Sequence, residues 1–176
     1  MPEVRAATVI PVSQSAVFDF VGDSRNAPRW VWGISDVDAA APHPLRPGDE
    51  VTFQLGAKGR ILESRWRIEE WVPPVRVTST GHALGAQARL RIECRALGPG
   101  QTQVEEVLQY RLPGGPLGLV ADRLGIHGIL EMQARNSMRR LHRVLTTGLN
   151  DRSPARPRRA RGPRRRAATG EGADGR

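Results

Sequence analysis

Lysine is almost missing from this chain. Its 27 basic residues are Lys58 and 26 arginines. Arginine, alanine, glycine and proline share GC-rich codons, so the bias points to a GC-rich bacterial genome rather than to arginines selected for bidentate phosphate contacts. Cysteine is missing but for Cys94, which excludes an intrachain disulfide and a cysteine-based zinc site. No window approaches eighteen consecutive apolar residues, so no membrane-spanning helix is expected. The N-terminus lacks the basic segment and apolar run of a secretory signal. A soluble, cytoplasmic protein is the expectation. Also lacking are a P-loop, a nucleophile elbow and a G-x-G-x-x-G turn after a strand; the glycines of GPLGLVADRLGIHG do not have that spacing. No cofactor is expected.

What remains is 176 residues, one domain's length and enough to bury a sizeable core. Charge is uneven. Residues 150–176 hold nine arginines against Asp151, Glu171 and Asp174, a net of +6 within the total of +9. The first 149 residues therefore carry only +3. The segment SPARPRRARGPRRRAATGEGADGR has almost no apolar content and is expected to stay unfolded. The division is thus a folded domain over 1–149 and an Arg-rich tail over 150–176.

Along the domain, VRAATVI (4–10) reads as a first strand. SQSAVFDFVGD follows as a helix capped by Ser13 or Ser15, with Val17, Phe20 and Val21 on one side and Gly22 near its end. SRNAPRWVWG is a second short helical or turn segment, and APHPLRPGDE is a loop. Strand-like runs come next: VTFQL (51–55), RILESRWRIEEW (60–71), VRVTSTG (75–81) and ARLRIEC (88–94). In the second, Leu62, Ser64, Trp66 and Ile68 alternate with Glu63, Arg65, Arg67 and Glu69. The last run, VEEVLQYRLP (104–113), places Val104, Leu108 and Tyr110 on one face and Glu106 with them. Short turns between such runs predict an antiparallel meander. From Leu117 to Leu149 apolar residues recur at helical spacing, at Val120, Leu124, Ile129, Leu130, Met138, Leu141 and Leu145. A helix of that length would run about 50 Å, and only the sheet is available to pack against it. The fold class is α+β: an antiparallel sheet curled around a long C-terminal helix, a helix-grip, with two short helices after the first strand. Sheet and helix diverge at one end, which leaves room for a mostly apolar ligand.

In this order the motifs are similar to those of the START/Bet v 1-like (SRPBCC) superfamily, in its polyketide cyclase/dehydrase-like branch. SAVFDFVGDSRNAPRW resembles the family's first helices, with Asn26, Pro28 and Trp30 as an Asn-x-Pro-x-Trp element. WVPPVRV, with Trp71, Pro73 and Pro74, resembles its turn between strands. GPGQTQVEEVLQYRLPGGPLG resembles its Gly-x-x-Thr strand running into a Pro/Gly loop and the last helix. The likeness covers roughly residues 4–148. It implies a protein that binds lipids, sterols, polyketides or other hydrophobic small molecules, or an aromatase or cyclase. The fold alone does not decide between them.

Glu106 is the first candidate for chemistry. A carboxyl facing the cavity loses solvation and its pKa rises, which suits proton transfer or a hydrogen bond to a ligand hydroxyl. The structural alternatives are a register shift that turns it outward, or pairing with Arg111 or His127. His127 and Glu131, spaced i,i+4, can meet on one helix face beside Leu124 and Gly128. Such pairs more often support a helix than catalyse. Trp30, Phe53, Trp66, Leu90, Tyr110, Leu124 and His127 complete the expected ligand-binding set, each equally open to being core. His43 and His82 lack carboxylate or cysteine partners at metal-ligand spacing, so no metal is assigned.

Three functions follow. The leading one is binding of a small hydrophobic, lipid-like or polyketide-like molecule. Next is an aromatase/cyclase-type enzyme with Glu106, and Tyr110 beside it, moving protons. The third is an interaction module whose tail meets nucleic acid or an anionic membrane by charge attraction; with no aromatics between its arginines, that contact would be unspecific. No pattern in the sequence fixes an oligomeric state.

Overall fold

The fold, taken from a computed structural model, is described for residues 1–38, 43–57, 60–83, 86–112 and 125–150. Residues 151–176, where the Arg-rich tail falls, lie outside them, as does Leu124. Strand β1 (Glu3–Ile10) is followed by α1 (Gln14–Gly22), a 3-10 turn (Ser24–Asn26) and α2 (Ala27–Trp30). Then come β2 (Ile34–Val37), β3 (Glu50–Ala57), β4 (Arg60–Val72), β5 (Arg76–Ala83), β6 (Ala86–Gly98), β7 (Gln101–Arg111) and α3 (His127–Asn150). All pairings are antiparallel, in the order β1-β7-β6-β5-β4-β3-β2. The chain starts at one edge, crosses to the other through α1 and α2, and meanders back until β7 closes against β1. This is the expected helix-grip.

One expectation needs correction. Among the described residues the sheet has seven strands, because ISDV forms β2 at its edge. It is four residues long, pairs only with β3 and carries a bulge between Ile34 and Asp36, so it shows no alternation to read. Of the long helix expected from Leu117, the described part is α3, whose 24 residues span about 36 Å; positions 117–124 of that expectation lie outside the described residues.

Packing explains the local choices. Helix α3 turns Leu130, Ala134, Met138 and Leu141 inward, all buried, while Gly128 and Ile129 face out. Ser137, next to Met138, holds α3 to the α2 exit: its hydroxyl accepts the Trp32 N–H at 2.9 Å. In α1 the buried side chains are Val17, Phe18 and Val21, with Phe20 only half-buried; Phe18 meets Trp71 edge-on at 5.1 Å. Gly22 is required by the same ring, since a Cβ there would lie 2.5 Å from Trp71. Ser13 occupies the N-cap position of α1 without a side-chain cap bond. Among the described residues no helix is long and apolar enough to cross a membrane.

Candidate functional site

The register sorts every strand residue onto one of two faces. Val4 pairs with Leu108 and Leu108 with Leu90; Ala6 pairs with Glu106 and Glu106 with Ile92; Thr8 pairs with Val104 and Val104 with Cys94. These share the concave face that α3 overlies. Its margins are sealed: Val104, Cys94, Ala88 and Tyr110 are all buried. Between them Leu90, Glu106 and Leu108 keep partial exposure. On β6 from Ala88 to Cys94 and on β7 from Val104 to Tyr110, these three are the accessible residues of the concave face, with buried side chains around them. At the β3–β4 end Phe53 and Leu55 are half-exposed and Leu62 is 40% exposed.

Glu106 thus points inward, as the alternation predicts. Its Oε2 is inaccessible and has no hydrogen-bond partner, and neither Arg111 nor His127 reaches it. Desolvation with no compensating cation pushes its pKa from the ordinary 4.5 up to about 7. Near neutral pH this carboxyl is both acid and base.

His127 stands elsewhere. At the start of α3 its Nδ1 is 3.0 Å from the Tyr110 hydroxyl, its Nε2 is 3.5 Å from Glu131 Oε1, and Glu131 Oε2 accepts from Arg135 at 3.2 Å. This chain ties the end of β7 to the first turn of α3. Tyr110 is four residues beyond Glu106, about 13 Å along the strand. The two polar features do not share one position.

The remaining candidates divide. Leu90 and Phe53 face accessible concave surface. Trp66 is 9% exposed and lies on Gly81, where a Cβ would sit 2.7 Å from its ring; its indole N–H donates to Ser64 Oγ at 2.8 Å. Trp30 is 3% exposed, and its Nε1 is without a partner. Both are core. Leu108 is absent from the expected set yet pairs with Leu90 and shares its partial exposure on the concave face; the strand alternation places it there and was signal enough. The Tyr110–His127 contact joins residues 17 positions apart and has no local signal. Cys94 is buried, its thiol pushed up to about 12 by desolvation, and is chemically quiet. His82 is exposed on β5, and His43 has Asp23 at 3.8 Å; among the described residues no three metal-binding side chains cluster.

Comparisons with known proteins place this geometry. A family model described as polyketide cyclase / dehydrase and lipid transport matches residues 1–146. No curated protein sequence matches the chain. Among solved structures, a Thermus thermophilus protein, TTHA0849, superposes with TM-score 0.69 at 16% identity, over 84% of this chain and 99% of its own. The Zhui aromatase/cyclase of a Streptomyces species gives TM-score 0.69 at 12% identity, over 84% and 95%. The di-domain aromatase/cyclase BexL gives 0.66 at 16% identity, over 85% of this chain and 48% of that one. At these identities the likeness is one of fold.

Proposed function

This chain belongs to the polyketide cyclase/dehydrase and lipid-transport family, and we propose that it binds a small, mostly apolar molecule, lipid-like or polyketide-like, in the hollow between its sheet and α3. The observation that carries this is the accessible patch at Leu90, Glu106 and Leu108, enclosed by buried neighbours in the middle of the concave face. A folded interior ordinarily packs without such space, and apolar walls with one polar group are what small-molecule sites present.

The test is saturable binding of a neutral, environment-sensitive dye such as Nile red, with long-chain lipids and aromatic polyketides as competitors. One-site binding is expected, abolished by Leu108→Trp, which fills the hollow. A dye that does not saturate, or that binds the filled variant equally well, overturns the proposal.

An enzyme of the aromatase/cyclase type is the second reading. A carboxyl titrating near pH 7 favours it, because such a group gives and takes a proton readily. Catalysis needs a second polar group converging on the same bound atom. The hydroxyl of Tyr110 is turned to His127, and the Glu106–Tyr110 spacing sets the two apart, so the binding reading stands first. The tail reading rests on residues outside those described and draws no support from the fold.

A further inference from the structure

We infer that the molecule taken by this hollow carries a protonated amine on an otherwise apolar body, seated against the Glu106 carboxylate; this rests on the binding reading above. The concave face supports it by what it omits. From β3 to β7 and β1 its side chains are Val51, Phe53 and Leu55; Leu62, Ser64, Trp66 and Ile68; Val77, Ser79 and Gly81; Ala88, Leu90, Ile92 and Cys94; Val104, Glu106, Leu108 and Tyr110; Val4, Ala6, Thr8 and Ile10. One carboxylate stands among them, and no cation. The arginines flanking it in register, Arg5 and Arg91, are one residue out of phase and face the convex side. Those of α3, Arg135, Arg139, Arg140 and Arg143, are exposed. Among the described residues the other titratable groups on the concave side are the Cys94 thiol, the Tyr110 hydroxyl and, from α3, His127, which is engaged by Tyr110 and Glu131.

An inward acid without a partner is a poor way to line an apolar site. Glutamine or leucine of similar volume would avoid its desolvation cost. The position makes physical sense if a ligand brings the missing charge. A hydroxyl would return one neutral hydrogen bond to the carboxylate; an ammonium returns a charge-assisted one as well as the countercharge, so it recovers most of what burial takes. The raised pKa fits: a free carboxyl near 7 ionises fully only when a cation arrives.

Three probes of equal chain length separate the head groups: n-decylamine, n-decanol and n-decanoate, each below its micellar concentration, displacing Nile red from the full chain. At pH 8 decylamine should bind roughly tenfold or more tightly than decanol, and decanoate least. The sign with pH is fixed by Glu106. Below about 7 the carboxyl is protonated in the free protein, so the amine preference should shrink as pH falls and be largely gone at pH 5. In Glu106→Gln, decylamine and decanol should bind within about twofold of each other at both pH values. Equal binding of amine and alcohol by the unmodified protein, or an amine preference that survives in Glu106→Gln, overturns the inference while leaving the hollow standing. Failure of the dye and all three probes to bind saturably removes the hollow itself, and the inference with it.

Discussion

Strand β7 carries two glutamates side by side and treats them in opposite ways. Glu105 faces the convex side, where Arg5 approaches it at 3.5 Å and water reaches both. Glu106 faces the concave side and meets no cation. The contrast extends over the whole sheet. Outside, acids and arginines come as neighbours: Glu3 with Arg5, Glu63 with Arg65, Glu70 with Arg76, Arg89 with Glu69 and Arg91 with Glu93. Such pairs keep a charged surface soluble and contribute little each. Inside, one charge is left unmatched where matching matters most, because a low-dielectric setting magnifies both the cost of isolation and the gain from a partner. Charge on the convex face is a matter of solvation. On the concave face it is a matter of what binds.

The largest effect expected from testing this contrast comes from placing a second carboxylate inside. Val104 is 0% exposed between Thr8 and Cys94, at the sealed end of the concave face. Val104→Asp buries an ionisable group where no space exists for water or ligand, and should cost about 4 kcal/mol or more, enough to leave the domain largely unfolded. Gln103→Asp, one residue away on the convex face opposite Arg95, should change stability by no more than about 0.5 kcal/mol. Chemical denaturation of the two variants reads the difference directly. Equal stabilities would mean that the two faces are not distinct.

Removing the existing interior charge should do the reverse. Below pH 4.5 Glu106 is neutral in both folded and unfolded chains and the glutamate has no ionisation penalty. As pH rises, the unfolded chain ionises first and the folded one only near 7, so stability contributed by this group falls across that interval and then levels off. Glu106→Gln should therefore match the unmodified protein at pH 4 and exceed it at pH 8 by on the order of 2–3 kcal/mol. Urea midpoints at the two pH values measure it. A constant offset at both would show that the carboxyl titrates normally, as a solvated one does.

Much of this contrast was legible in the sequence because strand alternation is a local property. Ala88, Leu90, Ile92 and Cys94 against Arg89, Arg91 and Glu93 announce two faces without any tertiary knowledge, and the same rule turns Glu106 inward. What the sequence hid depends on partners distant in the chain. Strand β2 exists only because β3 offers it an edge. Gly22 looks like a helix terminator, yet Trp71, 49 positions on, is what excludes a side chain there. Trp66 is a candidate ligand contact on its regularly alternating strand; Gly81 on the neighbouring strand gives it a flat bed, and Ser64 satisfies its indole.

The smallest effect belongs to the convex face, and its smallness is the point. Arg89 Nε lies 3.0 Å from Glu69 Oε2, with the two side chains 54% and 39% exposed. Both ions keep much of their hydration, and holding two long side chains in register costs conformational entropy. A double-mutant cycle with Arg89→Ala and Glu69→Ala should give a coupling of roughly 0.2–1 kcal/mol, which shrinks further at 1 M salt because the Debye length falls to about 3 Å. The Glu106→Gln effect should survive the same salt, since its origin is desolvation and not a screened pair. A large, salt-resistant coupling between Arg89 and Glu69 would mean that the convex face also buries its charges, and that the unmatched carboxyl inside is not the exception on which the amine-binding inference depends.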